Sequence, residues 1–358
     1  MGVNSTKKKK FKMEKKEEKK EESSKILIQS NPSQIQFLKD LTNNSYCHYW
    51  NDNTFSLFKS INNIFYIVYA DKFHSIIFLN LTTNQIINEI KHAHKDYITY
   101  FNHYFEEINK RDLLISISED DNDLKLWNIN NFECLLNIKN EISLSLACFL
   151  KDNNQNYILT CNDNIKDEEI EPITIFDLEG NEIKEIKNSK YNTYFIDTYY
   201  DNNLSKNFII TGNEGYSQSY DYNENKIYFK YIDIDNEINF HMCITIDDSD
   251  KIIKLIESSC KGIIRIFDFH SGKLLNKINV YNDWLNSLCL WNKDYLFVGC
   301  IDNSIKLIDL NTKKVIKDLN GHKGRILSIK RIIHPKYGEC LISQDAGKSQ
   351  IKLWIISK

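Results

Sequence analysis

Seven short segments recur along the chain, each an apolar-rich or alternating run that leads to a large side chain, followed in most of them by Asp or Asn. They are SIIFLNL (75–81), LKLWNI (124–129), ITIFDL (173–178), SQSYDY (217–222), IRIFDF (264–269), IKLIDL (305–310) and IKLWII (351–356). Their large residues, Leu79, Trp127, Phe176, Tyr220, Phe267, Ile308 and Trp354, stand 48, 49, 44, 47, 41 and 46 residues apart. Self-similarity at such a period marks a structure built from stacked supersecondary units, none of which buries its apolar face alone.

The intervals supply the rest of each unit. Residues 309–354 read as VIKDL, the turn NGHKG, then RILSIKRI, ECLISQD and IKLW, which is four short strands bounded by Asn, Gly and Asp. A four-stranded propeller blade takes roughly 40 to 45 residues, so the period predicts an all-β fold, a seven-bladed β-propeller. Composition agrees: the 358 residues hold 19 Phe, 20 Tyr and abundant Ile against 11 Gly and 3 Pro, enough to fill a large core of pleated surfaces. The chain ends on a third strand, and QIQFLKDL (34–41) reads as the missing fourth, so an N-terminal strand closes the ring. Residues 26–358 form the propeller, and residues 1–25 a disordered Lys/Glu-rich tail.

The last unit carries Gly321-His322, Ser343-x-Asp345 and Trp354, and the second complete unit carries Ser118-x-Asp120 and Trp127. On these residues the chain resembles the WD-repeat β-propeller family over about residues 33–358. The resemblance implies that His322, Ser343, Asp345 and Trp354, and likewise Ser118, Asp120 and Trp127, form buried hydrogen-bonded chains that tie a turn to its blade. Departures are several. Only two of the seven large residues are Trp, Gly-His occurs once, and Cys300 stands where Ser or Thr is expected before Asp302.

No catalytic pattern accompanies the repeats: GxSxG, HExxH and Gly-rich phosphate loops are all missing. His92 and His94 form an HxH pair, but HKDYI falls in the turn register of HKGRI, which favours a structural histidine over a metal ligand. The acidic runs DDND (120–123), DIDNE (233–237) and DDSD (247–250) lack the glycine and terminal Glu of a calcium loop and read as solvated turns. Nine cysteines, scattered without CxxC pairs, read as buried small hydrophobes in a reducing compartment. The expectation is no enzyme, no cofactor, no metal and no small-molecule substrate.

In register with Arg325 lie Tyr97 of HKDYI and Trp284 of NDWL, which puts two aromatics and an arginine at one rim position on three blades. These residue types are enriched at interface hot spots, so Tyr97, Trp284 and Arg325 are candidate contacts for a protein or peptide; the competing reading is packing between blades. The net charge is −3, but residues 1–25 carry +5, leaving −8 on the remainder. An acidic body with no basic stripe argues against nucleic-acid binding.

The first residues, MGVNST, fit M-G-x-x-x-[ST], with Gly2 as the acceptor for N-myristoylation. Lys7, Lys8, Lys9, Lys10 and Lys12 follow, a basic cluster suited to an anionic membrane surface. The sequence therefore points to a non-catalytic interaction scaffold held at the cytoplasmic face of a membrane by an acylated basic tail. The alternative is a soluble architectural subunit of a larger nuclear or cytoplasmic assembly, with the lysine run acting in import or solubility.

Overall fold

Strand pairing turns the sequence period into geometry. The structure, a computed structural model, describes residues 31–42, 45–46, 53–118, 121–139, 144–162, 171–189, 192–233, 239–247, 252–347 and 350–357. These form 28 strands, numbered in chain order, in seven antiparallel four-stranded sheets. Blade 2 shows the plan: β6 (Ile98–Glu106), β7 (Arg111–Ser118), β8 (Asp123–Asn128) and β9 (Glu133–Lys139) are hydrogen-bonded in sequence order. The first strands of the other blades are β2 (Phe55–Lys59), β10 (Leu144–Asp152), β14 (Thr193–Asp201), β18 (Asn239–Asp247), β22 (Leu285–Asn292) and β26 (Ile326–His334).

Each first strand packs against the first strands of both flanking blades, and β26 meets β2, so the seven form a closed inner circle. The central side chains of each blade then face the neighbouring blade. Phe78, Phe101, Leu114 and Trp127 fill the space between blades 1 and 2, while Ile35, Trp291, Phe297 and Trp354 do so between blades 6 and 7.

The seventh blade is built from both ends of the chain. Here β26, β27 (Gly338–Asp345) and β28 (Ile351–Ile356) are completed by β1 (Ile35–Asp40), which pairs antiparallel with β28 from Ile35↔Ile356 to Asp40↔Lys352. Lys352 Nζ donates to Asp40 Oδ1 at 2.5 Å, and the rings of Phe37 and Trp354 meet edge to face at 5.6 Å. Lys317 Nζ, from the outer strand of blade 6, donates to the carbonyls of Ser33 (2.8 Å) and Ile35 (2.6 Å). The compact propeller unit begins at Pro32.

Antiparallel order gives the ring two chemically distinct rims. Turns between first and second and between third and fourth strands lie on one, the hairpin rim. Turns between second and third strands, and the crossings from one blade to the next, lie on the other, the crossing rim. Because β28 runs away from the crossing rim and β1 runs antiparallel to it, the chain enters the propeller on the hairpin rim.

Two outcomes follow from the closure. Ile35 is fully buried, and Ile35→Ala is expected to cost about 2–5 kcal/mol in urea unfolding. Removing residues 1–41 leaves the edge of β28 unpaired, so the shortened chain should self-associate in analytical ultracentrifugation; a stable monomer would contradict the closure.

Candidate partner-binding rim

The crossing rim is held by buried polar side chains. In blade 7, Trp354 Nε1 donates to Ser343 Oγ at 2.7 Å, and Ser343 Oγ lies 2.7 Å from His322 Nε2. Asp345 Oδ2 lies 3.3 Å from His322 Nδ1, and a carboxylate there favours the tautomer with the proton on Nδ1, in which Nε2 accepts from the serine hydroxyl. Asp345 Oδ2 also accepts the amides of Lys323 (2.9 Å) and Gly324 (3.1 Å). Burial pushes the Asp345 carboxyl up, but His322 and the amides of Lys323 and Gln350 outweigh it and hold it below its usual value. A Cβ on Gly324 would stand 2.7 Å from the Ala346 carbonyl oxygen, so only glycine allows the turn to sit this close. The residue that this turn delivers to the rim is Arg325.

Blade 2 repeats the arrangement, but not through the residues that the S-x-D motif singles out. Trp127 Nε1 donates to Ser116 Oγ at 2.8 Å, and His94 Nε2 lies 2.7 Å from that oxygen. The amides of Lys95 and Asp96 donate to Asp121 Oδ2, the latter at 2.9 Å. Ser118 is fully buried, and its hydroxyl makes no hydrogen bond among the described residues; Asp120 lies outside them. The motif assignment of Ser118 is therefore corrected to Ser116, and Asp121 supplies the carboxylate. Trp127 pairs with Leu114 as Trp354 pairs with Leu341, and the serine comes two residues after the pairing partner in each. Ser118 instead occupies the place of Asp345, each paired with the first residue of its blade. By the same register Cys300 matches Asp345, and Val298 stands at the serine position of blade 6.

His92 and His94 do not act together, since His92 is exposed and His94 is buried. His94, Asp121 and Asp123 bring ligand atoms within 4.8 Å of one another. The Lys125 ammonium already acts on that site, and its Nζ donates to the Ala93 carbonyl at 2.5 Å. Burial, reinforced by Lys125, lowers the His94 pKa to about 3. The cluster has the geometry of the blade 7 turn rather than that of an open cation site.

Tyr97, Trp284 and Arg325 each immediately precede a first strand, β6, β22 and β26, and all three are half-buried. The Ile301 amide donates to the Trp284 carbonyl (3.2 Å) and the Ala346 amide to that of Arg325 (2.9 Å), the same bond in two adjacent blades. Tyr97 stacks on Tyr46 at 4.6 Å and meets His74 edge to face at 4.9 Å, while His74 Nδ1 lies 2.8 Å from the Lys95 carbonyl oxygen. Tyr97 thus packs between blades 1 and 2, as the competing reading holds, and its cluster extends the rim surface with Tyr46 and His74. Neither residue is legible as a partner of Tyr97, because Tyr46 lies in the segment between β1 and β2 and His74 in a turn of blade 1. Gly2, Lys7, Lys8, Lys9, Lys10 and Lys12 lie outside the described residues.

Removing the Ser116 hydroxyl leaves Trp127 Nε1 and His94 Nε2 buried without partners, so Ser116→Ala should cost about 1–3 kcal/mol, whereas Ser118→Ala should be neutral or slightly stabilising. Equal costs in urea unfolding would overturn the register. His94 stays neutral in the folded state, and an unfolded histidine titrates near 6.5. Its contribution is complete above pH 6.5 and is lost as pH falls toward about 3, so His94→Gln should flatten the loss of stability between pH 6 and 4 by up to about 1.4 kcal/mol per pH unit.

No protein-family model matches the chain. One curated protein is similar to it in part: the U3 small nucleolar RNA-associated protein 21 homolog of Schizosaccharomyces pombe, 28% identical over 85 residues. The matched segment is 24% of this chain and 9% of that protein. Seven four-stranded blades, the His–Ser–Trp hydrogen-bond chain in blades 2 and 7, and this short likeness together support a WD-repeat propeller.

Proposed function

We propose that the chain is a non-catalytic architectural subunit of a larger assembly, a rigid ring that holds other proteins through its crossing rim. The observation that carries this reading is the use made of the polar side chains. The buried histidines and serines of blades 2 and 7 bond each other, and the carboxylates of Asp121 and Asp345 accept the amides of the turns. What these turns offer to a partner is the half-buried Arg325 and the Tyr97 cluster, joined by Trp284 of blade 6. Aromatic and arginine side chains on a preorganised surface bind protein with little ordering cost.

The partial likeness to a protein named for association with a small nucleolar RNA favours a nuclear assembly. Lys7 to Lys10 and Lys12 then serve in import or solubility. A second reading, tethering to the cytoplasmic face of a membrane, rests on the MGVNST start with Gly2 as acceptor and on the same lysines.

Gradient sedimentation of the tagged full chain from its own cells tests the assembly. A subunit migrates far above its own 42.3 kDa, and Trp284→Ala with Arg325→Ala should return it to the size of the free chain while leaving its unfolding midpoint nearly unchanged. Migration of the wild-type chain as a monomer would refute the reading. Imaging separates the two locations: replacing Lys7–Lys10 by Ala should deplete nuclear signal with Gly2→Ala silent, whereas a membrane pool released by Gly2→Ala would establish the tether instead.

A further inference from the structure

The inner circle of strands places one residue per blade at a common level, the position just before the one that faces the blade's second strand opposite its large side chain. In blades 1 to 7 these are Ser56, Asn102, Cys148, Asp197, Cys243, Cys289 and Lys330. The Lys330 charge is felt at His103, Asp197, His241 and Cys289, on four other blades, which places its ammonium near the central axis.

Where β6, β10 and β14 approach the hairpin rim, this level opens into a cavity of about 630 Å³. Asn102, Cys148 and Asp197 are among its lining residues at the circle, and Asn153, Tyr200 and Asn223 stand at its lip. A concavity of this size is in the range of ligand-binding clefts and holds a side chain together with its flanking residues.

The charges in and around this cavity select what it can take. The Asp197 carboxylate is solvent-exposed, and among the described residues its Oδ1 accepts the adjoining Thr198 amide alone, at 2.8 Å. The nearby cations are committed elsewhere: Lys151 Nζ pairs with Glu107 at 2.6 Å, and Lys330 Nζ donates to Asn53 Oδ1 at 2.9 Å and lies 5.5 Å over the Phe55 ring, toward the crossing rim. Asp152, the second carboxylate of the lining, accepts from Asn207 Nδ2 at 3.1 Å. Although water reaches Asp197, the channel walls surround it, and this enclosure outweighs the Thr198 amide and the more distant Lys330 charge and pushes its carboxyl up to about 6. At the lip, Tyr200 is 50% exposed, enough ring face to flank an alkyl stem or a guanidinium.

We infer that the hairpin-rim mouth of the central channel, at blades 2 to 4, receives a lysine or arginine side chain from a partner protein. The cation pairs with Asp197, with Asn102 and Asn153 able to complete its hydrogen bonds and Tyr200 flanking its stem. An anionic ligand is disfavoured by the two carboxylates, and an uncharged one adds no cation in direct contact with Asp197. This site is on the rim opposite Tyr97, Trp284 and Arg325 and does not depend on them.

The test uses capped Ala-Arg-Ala and Ala-Lys-Ala, with capped Ala-citrulline-Ala as the neutral control, and saturation-transfer NMR on the full chain. The cationic peptides should bind at least fivefold more tightly than the citrulline peptide. Asp197→Asn should abolish that preference, Tyr200→Ala should weaken binding severalfold, and Trp284→Ala should leave it unchanged. Asn223→Lys, which adds a cation at the exposed lip without touching the channel floor, should abolish binding and serves if Asp197→Asn fails to fold. Equal binding of the citrulline peptide, or retention of the cationic preference in a folded Asp197→Asn or Asn223→Lys variant, would overturn the inference. So would preferential binding of inorganic phosphate at the same residues.

Discussion

The pairing of β1 with β28 is the contact on which the remaining architecture rests. Blades pack face to face, so each depends on two neighbours, and a ring with one incomplete blade exposes an unpaired strand edge at the joint. Here the joint is closed by six residues from one end of the chain on six from the other, with Ile35 fully buried between blades 6 and 7. Lys317 reaches from the neighbouring blade to the carbonyls that flank this strand, so closure involves blade 6 as well as blade 7. Its partners lie more than 300 residues apart, so forming this joint costs more loop-closure entropy than pairing neighbouring strands within a blade.

Within the closed ring, one register position shows how the blades are individually secured. The position of Ser343 is Tyr69, Ser116, Thr160, Thr211, Glu257 and Val298 in blades 1 to 6. Blades 2 and 7 answer the serine with histidine and tryptophan. Blade 4 uses amides and hydroxyls: Asn188 Oδ1 accepts from Thr211 Oγ1 (3.1 Å) and Gln218 Nε2 (2.7 Å), and Asn188 Nδ2 donates to Thr193 Oγ1 (2.8 Å). In blade 5 the buried Glu257 accepts from Ser217 and faces Arg265, which donates to Asp233 at 2.8 Å. Different chemistries perform one mechanical task, joining a crossing to its blade through buried polar side chains that bond one another.

This variety explains what could and could not be read in the sequence. The seven large residues stand out because apolar periodicity survives changes in polar detail, and the strand count, the closure by residues 34–41 and the rim register of Tyr97, Trp284 and Arg325 all follow from it. The serine of blade 2 was placed two residues late because a short motif match carries no information on strand pairing, whereas the interval from serine to tryptophan, 11 residues in both blades, does. The channel level was not legible at all. Its residues are of unrelated types, one per blade, and only the common register of seven first strands brings Asp197 and Lys330 to one axis. The contact of Tyr97 with Tyr46 and His74 was hidden for the same reason, since it joins two blades.

The two rims have distinct consequences for assembly. The crossing rim is built from turns stitched down by buried bonds in blades 2 and 7, so on the proposed reading its side chains would meet a partner in fixed positions and at a small entropy cost. The hairpin rim is where the chain enters at Pro32 and where the channel mouth lined by Asp152 and Asp197 opens. A partner held on one rim leaves the other uncovered, and a rigid ring between two bound proteins fixes their separation and orientation. On the proposed reading, two partners that also contact each other outside the ring would gain from effective concentration once both are held by it.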